Sequence, residues 1–178
     1  MVLVSIIVTL IRVLVPLTIL RFPLLGGILA MLADASDIMI FEKFGGDFFG
    51  IPYHEADKVL DIYYLFLEFL VARKWKNKLA GKTAKGLFYW RFSGFILFEI
   101  TKWRGFFFLA PNIFEFFYLV YLIILKAKPK FELTKKKLLV MLLLIGIPNI
   151  VKEYIMHFLE FGTWAFLRDN LFWWLYNK

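Results

Sequence analysis

Long apolar runs alternate with short charged stretches along most of the chain. Six of these runs approach the roughly 20 residues that a transmembrane helix needs. They cover Val2 to Leu20, Leu24 to Phe41, Asp57 to Ala72, Gly86 to Thr101, Phe107 to Leu125, and a last run that starts at Leu138. The pattern predicts an all-α fold: a polytopic membrane bundle of about six transmembrane helices in a single integral membrane domain, residues 1–178.

Prolines and aromatic residues refine this prediction. Pro111 is expected in the first turn of the fifth helix, and Pro148 is expected to kink the sixth because proline lacks the backbone donor. Residues 161–178 are dense in tryptophan, phenylalanine and tyrosine. Tryptophan and tyrosine favour the headgroup level, so this segment predicts a C-terminal interfacial helix better than a seventh span.

Composition supports a membrane protein and excludes several kinds of chemistry. Hydrophobic residues make up 61% of the chain, against roughly 45–50% in soluble proteins, and the mean hydropathy is +0.72. Cysteine is absent, which excludes disulfides, thiolate metal sites and cysteine catalysis. The net charge of +8 lies mainly in two basic loops, 73–85 and 126–137. These loops are expected to be cytoplasmic and to meet anionic lipid, and no nucleic-acid module is recognised.

Two pairs of aspartates are the clearest candidates for chemistry. Asp34 and Asp37 end the second run, and Asp57 and Asp61 begin the third. Spacings of three and four residues place both side chains of a pair on one helix face, so a helical hairpin would bring four carboxylates together. Such a cluster needs protons, a bound cation or basic partners. The basic partners available for such pairing are Arg12, Lys58, Lys102 and Arg104.

Threading six helices alternately through a bilayer places further polar residues in the same half as the aspartates. Intramembrane charges are costly unless they face a cavity or a partner, so a polar cavity open to one face is expected. The candidate substrate-binding residues are Arg12, Lys102, Arg104, Asn112, Glu115, Asn149, Glu153 and His157. Glu153, His157 and Glu160 follow helical spacing, which suits either a second metal or proton-relay site or a hydrogen-bonded structural histidine.

The layout of the acids resembles the CDP-alcohol phosphotransferase family, which has six spans and the pattern D-x2-D-G-x2-A-R-x8-G-x3-D-x3-D. Asp34 and Asp37 match its first two acids, and Asp57 and Asp61 match its last two. The stretch Thr9-Leu10-Ile11-Arg12 is similar to the T-L-x-R often found in the first span of that family. This chain differs at the glycines and at Ala-Arg, where it has Ile38, Tyr53, Phe41 and Glu42.

The resemblance implies an enzyme that displaces CMP from a CDP-linked donor to make a phospholipid. Two divalent cations, Mg²⁺ or Mn²⁺, would be held by the four aspartates. Asp57 and Asp61 would be catalytic, and Asp61 aligns with the acid that deprotonates the incoming alcohol. The implied partners are the lipid bilayer and a lipid substrate.

Two other functional classes stay open at this stage. Intramembrane acids and proline-interrupted helices also suit a small-molecule or proton-coupled carrier. A non-catalytic lipid-binding membrane protein would explain the missing glycines and arginine. The oligomeric state is likewise open, with a homodimer among the alternatives.

Overall fold

The computed structural model describes residues 2–103, 105–155, 159 and 163–171. These ranges contain helices and no β-strand, although Phe48 and Ile51 form an isolated bridge. The helices are α1 (Val2–Leu17, continued by the 3₁₀ turn Thr18–Leu20), α2 (Pro23–Phe44), α3 (Tyr53–Ala72), α4 (Lys78–Thr101), α5 (Gly105–Leu109), α6 (Ile113–Ala127), α7 (Lys135–Glu153) and α8 (Thr163–Asn170). The all-α prediction is confirmed.

Three helical stretches in the described ranges are long and apolar enough to cross a membrane. They are Val2–Leu20, Pro23–Phe44 and Gly105–Ala127. The other long helices carry more charge: α3 contains Asp57, Lys58, Asp61 and Glu68, and α7 begins with three lysines. Length and composition therefore establish three candidate spans, and the prediction of about six is not established.

The two basic loops are shorter than predicted. Helix α4 begins at Lys78 because the Asn77 side chain caps it, accepting a hydrogen bond from the backbone N–H of Ala80 at 2.9 Å. Part of the predicted loop 73–85 is therefore helical, and the non-helical segment is 73–77. The predicted loop 126–137 likewise contracts to 128–134, because α7 begins after an N-cap at Thr134.

The prolines behave differently in the two helices that were expected to contain them. The placement of Pro111 in a first helical turn is wrong, because α5 ends at Leu109 and α6 begins at Ile113, so Pro111 lies in a break between two helices. Helix α4 packs closely against this break: a Cβ at Gly94 would lie 2.4 Å from the Cβ of Ala110. Pro148 is instead retained inside the continuous helix α7.

A tight turn joins α1 and α2 and sets their relative position. Backbone N–H groups of Arg21 and Phe22 both donate to the carbonyl of Thr18. Gly26 then packs directly on this turn, since a Cβ there would lie 2.4 Å from the backbone nitrogen of Ile19. The resulting hairpin places the middle of α1 beside the C-terminal half of α2, where Asp34 and Asp37 lie.

Many large apolar side chains are exposed, while several charged side chains are buried. Leu14 on α1 and Leu144 on α7 are 54% and 72% exposed, and many other large apolar side chains are exposed as well. By contrast, Arg12 and Asp37 are 2% and 1% exposed. An aromatic core between α3, α4 and α6 supports the interior, with the rings of Phe69 and Phe88 4.5 Å apart, for example.

Candidate functional site

Helices α1, α2 and α3 bring all four predicted aspartates around the Arg12 guanidinium. Arg12 Nη1 binds Asp34 Oδ1, and Nε lies 3.3 Å from Asp37 Oδ2. Nη2 lies 3.3 Å from both Asp57 Oδ1 and Asp61 Oδ1. The planar fork of an arginine has five N–H donors, which lets one side chain contact carboxylates in several directions. Arg12, predicted to bind substrate, is thus the centre of the acidic cluster.

Lys58 is a second cation in this cluster. Its Nζ lies 2.7 Å from Asp57 Oδ2 and 3.1 Å from Asp61 Oδ2. The i,i+3 spacing of Lys58 and Asp61 on a helix is the sequence signal for this contact, and Lys58 is one of the basic partners predicted for the aspartates. Four carboxylates therefore contact two cationic side chains, which leaves an excess of two negative charges when all six groups are ionised.

Three of the four aspartates have the geometry of a cation site. Asp34, Asp37 and Asp57 each offer one carboxylate oxygen, and these atoms all lie within 4.8 Å of one another. Opposite ligands of an octahedral Mg²⁺ lie about 4.2 Å apart, so small side-chain movements would bring the three oxygens into coordination range. Asp61 is not part of this triad and contacts Arg12 and Lys58 instead.

Asp37, on α2, is held by a hydrogen bond from Tyr53 at the start of α3. Its Oδ1 accepts a hydrogen bond from the Tyr53 hydroxyl at 2.5 Å. Its buried Oδ2 accepts no hydrogen bond from the described residues, although it forms the ion pair with Arg12. This oxygen is therefore available as a ligand, and the donor set of carboxylate oxygens suits Mg²⁺ or Mn²⁺.

Tyr53 was missed as a functional candidate because it stands where the resembled pattern has a glycine. Its ring stacks on Phe48, with centroids 5.7 Å apart, and meets Phe41 edge-on at 6.5 Å. Two residues that depart from the family pattern, Phe41 and Tyr53, thus pack as one aromatic unit beside the acids. The i,i+4 spacing from Tyr53 to Asp57 was the available signal that both share a helix face.

Two predicted substrate-binding residues form a separate polar group deeper in the bundle. The Tyr64 hydroxyl donates to Glu115 Oε1 at 2.9 Å, and Asn112 Nδ2 donates to Glu115 Oε2 at 2.8 Å. Asn149 and Glu153 are also buried, but Asn149 donates within α7 to the carbonyl of Ile145. These residues do not contact the four aspartates through any hydrogen bond or ion pair of the described residues.

The last predicted site residues lie at the rim or outside the described ranges. Lys102 has a 55% exposed side chain and binds Glu99 at 2.6 Å and Glu55 at 3.9 Å. Its hydrogen bond to Glu99 raises the pKa of Lys102. Arg104, His157 and Glu160 lie outside the described residues, as does much of the predicted interfacial helix 161–178, of which α8 is the described part.

Comparisons of the chain with protein-family models, with curated proteins and with solved structures find no match. The resemblance to CDP-alcohol phosphotransferases therefore rests on the residue pattern and stays a prediction. The chemistry of the cluster has to be judged from its own groups. Those groups are carboxylate oxygens that suit a hard cation and two basic side chains that suit a phosphate.

Proposed function

We propose that the chain is an integral membrane protein in which α1, α2, α3, α4, the α5–α6 pair and α7 form a six-span bundle. The many exposed apolar side chains and the several buried charges support this, because exposed leucines suit lipid while buried charges suit a polar interior. In this arrangement the basic segments 73–77 and 128–134 face the cytoplasm.

Single cysteines test this topology, since the native chain has none. Cysteines introduced at Lys76 and Lys130 should react with an impermeant maleimide from the cytoplasmic side, and one at Ile51 from the opposite side. Ile51 lies in the loop between α2 and α3 and is 51% exposed. Labelling of all three positions from one side would contradict the six-span topology.

We propose further that the cluster is the site of a divalent-cation-dependent enzyme of the phosphotransferase type, acting on lipid or lipid-linked phosphate. The observation that carries this proposal is the Asp34, Asp37 and Asp57 triad, with oxygens within 4.8 Å, beside two basic side chains. The excess of two negative charges in the cluster balances one divalent ion, rather than the two ions that the family resemblance implies.

Each group then has a distinct role in the proposed reaction. Asp34, Asp37 and Asp57 would hold the cation, which when bound would polarise a phosphate and stabilise charge on the departing group. Arg12 and Lys58 would supply further positive charge toward phosphate oxygens. Asp61, which lies outside the triad, would accept the proton of an incoming alcohol.

A second candidate function has its own supporting observation. Arg12 contacts all four acids and Lys58 contacts two of them, so two of the four negative charges are compensated without any ligand. A non-catalytic membrane protein would use such an ion-pair network to hold α1, α2 and α3 together. The two candidates differ in whether a divalent cation binds.

Thermal unfolding of detergent-purified protein in EDTA, Mg²⁺ or Mn²⁺ separates them. A ligand at a hundredfold excess over Kd stabilises the native state by about 2.7 kcal/mol. For a chain of this size that is a rise in Tm of roughly 5–10 °C. The rise should be lost in Asp34→Asn and Asp57→Asn and kept in Asp169→Asn, whose side chain is 62% exposed on α8.

Catalysis is then tested by release of CMP from CDP-linked alcohols in detergent micelles containing lipid. Cation-dependent release that Asp61→Asn abolishes supports the enzyme. A cation-dependent rise in Tm without release from any CDP-linked donor would contradict CDP-linked chemistry while keeping the cation site. No rise in Tm for the native protein would favour the non-catalytic candidate.

A further inference from the structure

Glu68 is a fully buried acid outside the cluster described above. It lies on α3 two turns beyond Asp61, and Asp61, Tyr64 and Glu68 share one helix face through their i, i+3 and i+7 spacing. Its exposed fraction is 0%. Both carboxyl oxygens are buried, and neither has a hydrogen-bond partner among the residues that the structure describes.

A glycine on α2 makes room for this carboxyl group. A Cβ at Gly27 would lie 3.0 Å from Glu68 Oε1, 2.9 Å from Leu119 Cδ2 and 3.2 Å from Tyr118 Cε1. The Glu68 carboxyl therefore lies between the backbone of α2 and the side chains of α6. The Tyr118 hydroxyl nearby is engaged elsewhere, because it donates to the carbonyl of Pro23 at 3.2 Å.

Two acids, Glu68 on α3 and Glu115 on α6, share this interior but have different surroundings. Glu115 accepts hydrogen bonds on both carboxyl oxygens, from Tyr64 and from Asn112. Glu68 has no such donor among the described residues. The two buried acids therefore differ in hydrogen bonding, and Glu68 is the one that lacks donors to stabilise a negative charge.

The cost of burying a charge decides the protonation state of the Glu68 side chain. An isolated ionised carboxylate in a low-dielectric interior is far more costly than a neutral polar group. A carboxyl group that is buried without hydrogen-bond donors therefore favours its protonated form. Ionisable groups buried among transmembrane helices are also typical of proton pathways.

We propose that Glu68 is an internal proton-binding site, in which the carboxyl group enclosed by α2, α3 and α6 carries a proton at neutral pH. The ligand is a proton, and the site is independent of whether the cluster binds a cation or acts on phosphate. Tyr64, on the same face of α3, donates its hydroxyl to Glu115 and not to Glu68.

Infrared spectroscopy of the reconstituted protein near neutral pH tests the proton site directly. The native protein should show the C=O absorption of a protonated carboxylic acid, and the band should shift when glutamate is labelled with ¹³C. Glu68→Gln should abolish this band, and Glu55→Gln, at an exposed glutamate, should leave it unchanged. Absence of a glutamic acid band, or a band that persists in Glu68→Gln, would overturn the proposal.

Glutamine copies the neutral acid in shape, so Glu68→Gln should fold; if it does not, the ¹³C-labelled native protein still decides whether the acid is protonated.

Discussion

Replacement of Arg12 by glutamine is the sharpest perturbation of the acidic cluster. The change leaves four carboxylates with Lys58 as the remaining cation in contact, and Lys58 touches two of them, Asp57 and Asp61. Removing one partner of a buried ion pair typically costs about 3–5 kcal/mol, because the other charges stay buried and uncompensated. For a chain of this length the loss corresponds to a fall in Tm of roughly 6–20 °C.

Thermal unfolding in detergent with EDTA at neutral pH measures this loss. Arg12→Lys should recover part of the stability, because an ammonium keeps the charge and lacks the planar fork that reaches four carboxylates. Lys102→Gln is the matched control: its ion pairs are exposed and screened by solvent, so their loss should leave Tm nearly unchanged. If Arg12→Gln unfolds at the native temperature in EDTA, the contacts of Arg12 do not stabilise the fold and the charge argument fails.

Further predictions concern a divalent cation, a close helix approach and a helix cap. Mn²⁺ should raise the stability of Arg12→Gln by more than it raises that of the native protein, because the carboxylates of the variant lack their main cation. An equal or smaller gain would show that Arg12 and Mn²⁺ do not compete for these carboxylates. Gly26→Ala should lower Tm strongly, because its Cβ meets the backbone of Ile19. Gly86→Ala, in open space on α4, should be neutral or should increase the free energy of unfolding by up to about 1 kcal/mol through helix propensity. Asn77→Ala should cost about 1 kcal/mol through loss of the α4 cap, measured by denaturant unfolding, and no change would show the cap to be dispensable.

Local sequence patterns predicted the part of the site that depends on helical spacing. The intervals from Asp34 to Asp37 and from Asp57 to Asp61 predicted which acids share a helix face, and the cost of an arginine in an apolar helix predicted that Arg12 needs a partner. The structure places these five residues in contact. The choice between ion pairing and cation binding was not decidable from spacing, because both use the same carboxylates.

Other features depend on contacts between distant residues or on weak local preferences. Lysines have good helix propensity, so charge alone could not show that α4 begins at Lys78. Tyr53 reaches Asp37 only once α2 and α3 have packed, 16 residues apart in sequence. The burial of the Glu68 carboxyl group likewise depends on packing against Gly27 of α2 and the side chains of α6. No pattern within α3 indicates this burial.

The pairing of Arg12 with Asp34 has a consequence for biogenesis. An arginine near the middle of an apolar helix costs at least about 2.5 kcal/mol when that helix enters a bilayer alone. Its nearest partners in sequence lie on α2, which is the next helix to leave the ribosome, and the two helices form a tight hairpin. In the proposed bundle, membrane integration is therefore favoured when α1 and α2 leave the translocon together, and a nascent chain that ends after α1 would be retained less well in the bilayer than one that continues through α2.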